Sequence, residues 1–369
     1  MSTPLIDDVT VDSYRFPTPQ TEADGTLAWD ATTAVVVAIR AGHERGLGWT
    51  YSSPAAATVV EHHLAPEVRG TSPDDVTDTW LRLRRACRNF GTSGVVAHAL
   101  SAVDIALWDL KARLLEVPLE SLLGSVRRAT AVYGSGGFVN LTDEQLTDQV
   151  IGWEAAGCTA VKIKIGVDAD RDIERITLVR KLLGGRTAIM VDANGAYTPG
   201  EACRVGVELD RLGVVWFEEP VTSDDVTGLR TVRDAVRCDI AAGEYVYSEY
   251  EAERLIDAVD CLQLDITRCG GYTGFLRGAA VAAAHHRDIS AHCAPALHAG
   301  IAAAVPRLRH IEWFADHARL EPLLVTGAPV VAQGRLAPRG QDAEPYGHGM
   351  RLSESAARYR LSSPAEPSE

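Results

Sequence analysis

The chain has 369 residues, 46% hydrophobic and 23% charged, enough for one large barrel with an elaboration. Its net charge of −14 speaks against a nucleic-acid or anionic-membrane partner, since both require a basic surface. An acidic substrate must then be held by local positive charge. The opening "MSTPLIDDVT" has no apolar core of a secretory leader, and no run is long enough to span a bilayer. Seven scattered cysteines without a C-x-x-C pattern read as reduced thiols, so a cytoplasmic location is expected.

Residues 1–125 read as a separate α+β unit. "DATTAVVVAIRAG" is strand-like, and Gly46–Pro54 reads as a loop. "SGVVAHALSAVDIALWDLKARLLEVPLESLLG" is a long apolar helix that ends near the Val117-Pro118 break. Residues 17–30, with Thr21, Glu22, Asp24 and Thr26, read as a second, polar loop suited to a hydroxylated ligand.

From residue 126 to 338 helical and strand patterns alternate. Helices open at Thr142 (with Gln145), at Thr198 (with Pro199 and Glu201) and at Ser248 (with Glu251), each a capping-box arrangement. Gly157 and Gly213 stand where helices stop. Eight short strands are expected: "AVYGSGGF", "AVKIKIG", "AIMVDANG", "VVWFEEP", "DIAAGE", "CLQLDI", "ISAHC" and "HIEWF". That is the pattern of a parallel β/α barrel. A doubly wound dinucleotide fold is disfavoured, because no glycine-rich fingerprint follows the first strand. Residues 339–369 form a polar segment whose last residues, "SSPAEPSE", are expected to fray.

Barrel active sites form at the carboxyl ends of the strands. Asp192, Glu218 and Glu244 end three successive strands there, evenly spaced along the chain. Three anions that close need a cation among them, and all-oxygen ligation favours Mg²⁺. Alternation admits only one acid of "WFEEP" to the inner face. Glu218 is taken as that one, and Glu219 is left to the loop.

In "VKIKIG" the same alternation puts Val161, Ile163 and Ile165 on one face and Lys162 and Lys164 on the other. The apolar face must pack on helices, so both lysines point into the barrel. Neighbouring positive charge is expected to lower one pKa, leaving one amine as a base and the other to bind a carboxylate. Asp265 and His292, on consecutive strands, suit a hydrogen-bonded dyad in which the aspartate orients the imidazole and favours its protonated form. Tyr133 and Ser135 end the first strand, where a substrate contact and a structural role compete. Cys269 and Cys293 read as small buried thiols. The pairs His62-His63 and His285-His286 read as surface or packing residues, without chelating spacing.

These residues, in order on successive strands, resemble the enolase superfamily and within it the mandelate racemase subgroup. The resemblance runs from the "SAVDIALWDLKARLLEVPLESLLG" helix to "HIEWF". It implies a (β/α)₇β modified TIM barrel with an N-terminal α+β capping domain, completed by the C-terminal segment. It also implies one Mg²⁺ per subunit on Asp192, Glu218 and Glu244. Lys164 matches the base, Lys162 its carboxylate-binding neighbour, and Asp265–His292 the opposite-face dyad. Glu312 matches an acid on the substrate carboxylate, and Asn194 a residue near its 2-hydroxyl. A lysine in place of Asp265 would point to the muconate-lactonizing type, and an asparagine in place of Glu244 to the glucarate dehydratase type. The reaction expected is removal of a proton next to a carboxylate. Its leading form is an acid-sugar (aldonate or aldarate) dehydratase, a hydro-lyase giving a 2-keto-3-deoxy acid. A 2-hydroxy-acid racemase or epimerase and a sugar-acid cycloisomerase are the alternatives. A homo-oligomer, dimer to octamer, is expected.

Overall fold

The structure is a computed structural model that describes residues 3–362. The fraying expected of "SSPAEPSE" lies, from residue 363 on, outside the described residues. No helix among the described residues is long and apolar enough to cross a membrane.

Three antiparallel strands open the chain, β1 (Asp8–Ala23), β2 (Ala28–Ala41) and β3 (Glu44–Tyr51), in that order across the sheet. Two of the expected loops are thus strands. The 17–30 stretch belongs mostly to the two arms of the β1–β2 hairpin, whose register breaks between Pro17 and Glu22, leaving a short turn at 24–27. Gly46 and Gly48, which suggested a loop, lie in β3 instead. A Cβ at Gly48 would stand 2.2 Å from the Ala102 carbonyl oxygen, so these glycines let the Val95–Leu114 helix lie directly on the sheet. That close approach, rather than a turn, is their physical reason.

The helix ends at Leu114, just ahead of the Val-Pro break. It is buried almost all round, and two buried acids on it tie the cap to other parts of the chain. Asp104 accepts from Thr273 N and Oγ1, at 2.9 and 2.6 Å. Asp109 accepts from Leu47 N, Arg113 Nε and His348 N. Residues beyond 338 return to the cap, where Gly347 N donates to Val117 O and Leu361 N to Ser13 O.

Eight parallel strands form a closed barrel: β4 (Thr130–Gly136), β5 (Ala160–Lys164), β6 (Ala188–Asp192), β7 (Val214–Glu218), β8 (Asp239–Ala242), β9 (Cys261–Leu264), β10 (Asp288–Ala291) and β11 (Leu308–Phe314). Pairing of β11 with β4 closes it. Helices cross over between successive strands, and a further helix, Ala315–Leu324, follows β11. The capping boxes at Thr142 and Thr198 are complete. At Ser248 only half forms, because the Glu251 carboxylate takes Tyr247 N instead. Gly157 and Gly213 sit at helix ends with φ of 88° and 71°, a region where glycine carries no Cβ penalty.

Candidate active site

Strand alternation delivers Lys162, Lys164, Asp192 and Glu218 as read, whereas Glu244 stands two residues past the end of β8. Val161 and Ile163 pack outward in the core, and Lys162 and Lys164 point into the barrel, 1% and 6% exposed. Register puts Lys164 opposite Asp192 and Asp192 opposite Glu218. Lys164 Nζ lies 2.5 Å from Asp192 Oδ2, and Lys162 Nζ lies 2.8 Å from Glu312 Oε1 beside its bond to Glu218.

These pairings reverse one expectation. Burial disfavours charge on both lysines, but Glu218 and Glu312 around Lys162, and Asp192 beside Lys164, more than offset it and hold both amines above the usual lysine range. The neighbouring ammonium is the weaker influence.

Asp192, Glu218 and Glu244 each offer an oxygen, and the three lie within 4.8 Å of one another. Oε2 of Glu244 is buried and makes no aligned hydrogen bond, with His292 Nε2 3.2 Å away. Burial pushes Glu218 up to about 8, against the pull of Lys162. Such a set of crowded oxygens, one of them without an aligned hydrogen bond, suits a hard divalent cation.

Opposite the lysines, Nδ1 of His292 is 2.8 Å from Asp265 Oδ2. Burial works against an imidazolium there, but Cys293, Glu244 and Asp265 outweigh it and raise the His292 pKa, the direction expected. Glu312 Oε2 accepts from Cys293 N at 2.8 Å and Oε1 from Ser135 Oγ at 2.6 Å.

A cavity of about 370 Å³ opens above this set. Lys164, Asn194, Glu244, His292 and Glu312 line it from the barrel, and Asp24, Trp29 and Thr32 from the cap. A larger cavity of about 550 Å³ lies between the cap sheet and the C-terminal segment, near Tyr14 and Met350. It contains none of the acid–base residues, so the chemistry belongs to the smaller one.

Residues 145–356 match the enolase C-terminal domain-like family, and residues 8–124 the mandelate racemase / muconate lactonizing enzyme N-terminal domain. The chain belongs to the mandelate racemase/muconate lactonizing enzyme family of the enolase superfamily. A mandelate racemase/muconate lactonizing enzyme-like protein from Rubrobacter xylanophilus is 42% identical, with a TM-score of 0.94 over 97% of this chain and 100% of that one. The L-talarate/galactarate dehydratase of Salmonella typhimurium is 34% identical over 85% of this chain and 79% of its own length. Its structure liganded with Mg and L-lyxarohydroxamate superposes with a TM-score of 0.89, covering 98% of this chain and 94% of that one at 30% identity. A 3,6-anhydro-alpha-L-galactonate cycloisomerase of Streptomyces coelicolor is 32% identical over 90% of this chain and 95% of its own length.

Not every residue singled out in this family member reaches the cavity. Tyr133 is wholly buried in the layer below, with Met190 and Trp216, and its hydroxyl accepts from Gln263 Nε2 at 3.0 Å. Ser135 is equally buried and holds Glu312, so neither touches the mouth. Asn194 does reach it. Its φ is 47°, a region asparagine tolerates, and its buried Oδ1 has no partner.

Glu219, left to the loop, is instead 2% exposed with a φ of 36°. Burial, and then Glu244 and Asp192, hold its carboxyl well above the usual range, while Ser223 Oγ donates to it. The strand ends at Glu218, so alternation stops applying one residue later.

Arg268 was missed altogether. It bonds Glu244 Oε1 at 2.9 Å and stands 3.4 Å from Asp265 Oδ2. The only sequence signal was an arginine three residues after Asp265. Cys269 is a small buried thiol as read, whereas Cys293 also touches His292. His62, His63 and His286 are exposed and His285 half-buried, away from the site.

Proposed function

We propose that this protein is a Mg²⁺-dependent acid-sugar dehydratase that removes the proton next to a carboxylate and expels the 3-hydroxyl to give a 2-keto-3-deoxy acid. The observation that carries this is an amine and an imidazole facing one cavity from opposite sides of a carboxylate cluster. Support comes from the dehydratase relative. Asp192, Glu218 and Glu244 would hold the ion. Bound there, Mg²⁺ supplies Lewis-acid stabilisation of the enediolate, a pattern known for the superfamily, and neutralises carboxylates that otherwise lift Lys164.

Of the two lysines only Lys164 lines the cavity, which supports it as the base. Lys162, pinned between Glu218 and Glu312 just below the cavity, would favour the substrate carboxylate through its charge rather than by lining the cavity. Glu312, held by Ser135 and Cys293 N, faces the same carboxylate. His292, oriented by Asp265, delivers a proton to the departing hydroxyl. Asn194 offers its free oxygen to the 2-hydroxyl.

The cations lining the cavity are Lys164, Arg268 and His292, and each already faces a carboxylate. The cap end presents Asp24 and Asp316 with Thr32, Thr33 and Ser52. That lining favours an aldonate with a neutral hydroxylated tail over an aldarate with a second carboxylate. We place the protein in the cytoplasm, in keeping with seven free cysteines, and expect it to work as a homo-oligomer.

The test is a library of mono- and diacid sugars with Mg²⁺, read by 2-keto acid formation. Turnover of an aldonate with kcat/KM at least about tenfold above any aldarate is expected. No keto acid from any member, with α-proton exchange in deuterated water on another acid, would overturn dehydration. A cycloisomerase is the second reading, favoured by the relative from Streptomyces coelicolor. It would convert an anhydro sugar acid or a lactone without releasing water.

A further inference from the structure

The ligating groups of the mouth divide by chemistry into two sets. Asp192, Glu218 and Glu244 offer oxygen alone. His292, Cys293 and Glu312 offer nitrogen, sulfur and oxygen, and these three atoms also lie within 4.8 Å of one another. His292 Nε2 is 3.4 Å from Cys293 Sγ and 3.8 Å from Glu312 Oε2. Around a tetrahedral Zn²⁺ with ordinary bond lengths, the N···S and N···O edges come to about 3.5 and 3.4 Å. The first edge is already in place, and the second closes with a small side-chain shift.

The surroundings fit as well. Asp265 on Nδ1 of His292 is the carboxylate partner that metal-bound imidazoles commonly carry. Lys162 faces Oε1 of Glu312, which leaves Oε2 on the side of Cys293. Cys293 has a φ of 50°, and it lines the cavity together with His292 and Glu312.

We infer that His292, Cys293 and Glu312 form a second cation site, selective for thiophilic ions such as Zn²⁺ and Cd²⁺, whose occupation withdraws His292 from proton transfer. The ion gains a sulfur, a nitrogen and an oxygen bond. The thiol proton, and any proton on Nε2, pass to solvent. Soft thiolate ligation separates this site from the all-oxygen set, which retains the hard ion. The inhibitory consequence rests on the function proposed above, whereas binding does not.

Two readouts keep those apart. The Mg²⁺-saturated protein is titrated with Cd²⁺ and followed by thiolate-to-metal charge-transfer absorbance. One equivalent should give the band in wild type and in Cys203→Ser, and none in Cys293→Ser or Cys293→Ala. Zn²⁺ inhibition, scaled to each variant's own turnover, should weaken about tenfold or more in the Cys293 variants. A band that persists without Cys293 overturns the site. Equal Zn²⁺ inhibition of all variants also overturns it, because the ion then acts at the oxygen cluster. If no sugar acid is turned over, the absorbance arm still decides the site.

Discussion

The imidazole of His292 is held by Asp265 across adjacent parallel strands, Nδ1 to Oδ2 at 2.8 Å. The other Asp265 oxygen accepts from Thr267 N and Oγ1, both at 2.7 Å, so the carboxylate has no freedom to turn away. Asp265→Asn keeps the shape and loses the charge that fixes the tautomer. The expected result is a fall in kcat of about 10²- to 10⁴-fold with an unchanged melting profile. Full activity in this variant would remove His292 from its assigned role.

Lys164 and Lys162 share a face but not an environment. Lys164→Ala should abolish α-proton exchange in deuterated water while Mg²⁺ still binds. The expected loss is about 10²-fold or greater. Calorimetric titration with Mg²⁺ checks the second half, and exchange that continues in the variant would require another base.

The oxygen cluster links metal to stability. A chelator should stop turnover, and Mg²⁺ should restore it. At a hundredfold excess over its dissociation constant, the ion should stabilise the fold by about 2.7 kcal/mol. Asp192→Asn should lose most of this stabilisation. Denaturation curves with and without Mg²⁺ measure it, and identical curves for wild type would mean the cluster holds no ion.

Glu321 connects the two halves of the molecule, accepting from Ala296 N at 3.1 Å and meeting Tyr51 of the cap at 3.3 Å. Burial raises its pKa to about 8 from 4.5. A raised acid holds its proton in the folded state after the unfolded chain has released it. Stability therefore falls as pH rises from about 4.5 to about 8, by at most about 1.4 kcal/mol per unit. Glu321→Gln should flatten that slope and be relatively more stable at pH 8, as read by urea denaturation at pH 5 and 8.

Gly48→Ala tests the cap. Its Cβ would press on the Ala102 carbonyl and on Ala106 N, 2.5 Å away, both helix backbone atoms that cannot yield. A loss at the upper end of the roughly 1–3 kcal/mol of overpacking is expected, or no folded protein at all. Unaltered stability would show that strand and helix part easily here.

Much of the site was legible because it depends on short-range rules. A period of two put Lys162 and Lys164 on one face and admitted a single acid of "WFEEP" to the inner side, with Glu218 taken as that one. Strand-end acids followed by turn residues marked the mouth. The same rules failed where the chain leaves regular geometry, as at Glu219, or where a glycine serves a packing contact, as at Gly48. Tyr133 obeyed the alternation and still missed the cavity, since its depth along the strand is set by the barrel as a whole.

By itself the sequence determined the succession of strands and helices, the inward residues of β5–β7 and the kinds of ligand atoms available, because backbone sterics and hydrogen bonding act over a few residues. Only the tertiary structure decided which lysine meets the cavity, that Arg268 braces Glu244 and Asp265, and that the lysine pKa values rise rather than fall. Those outcomes depend on burial and on charges brought within a few ångströms from distant parts of the chain, and no local pattern records such distances.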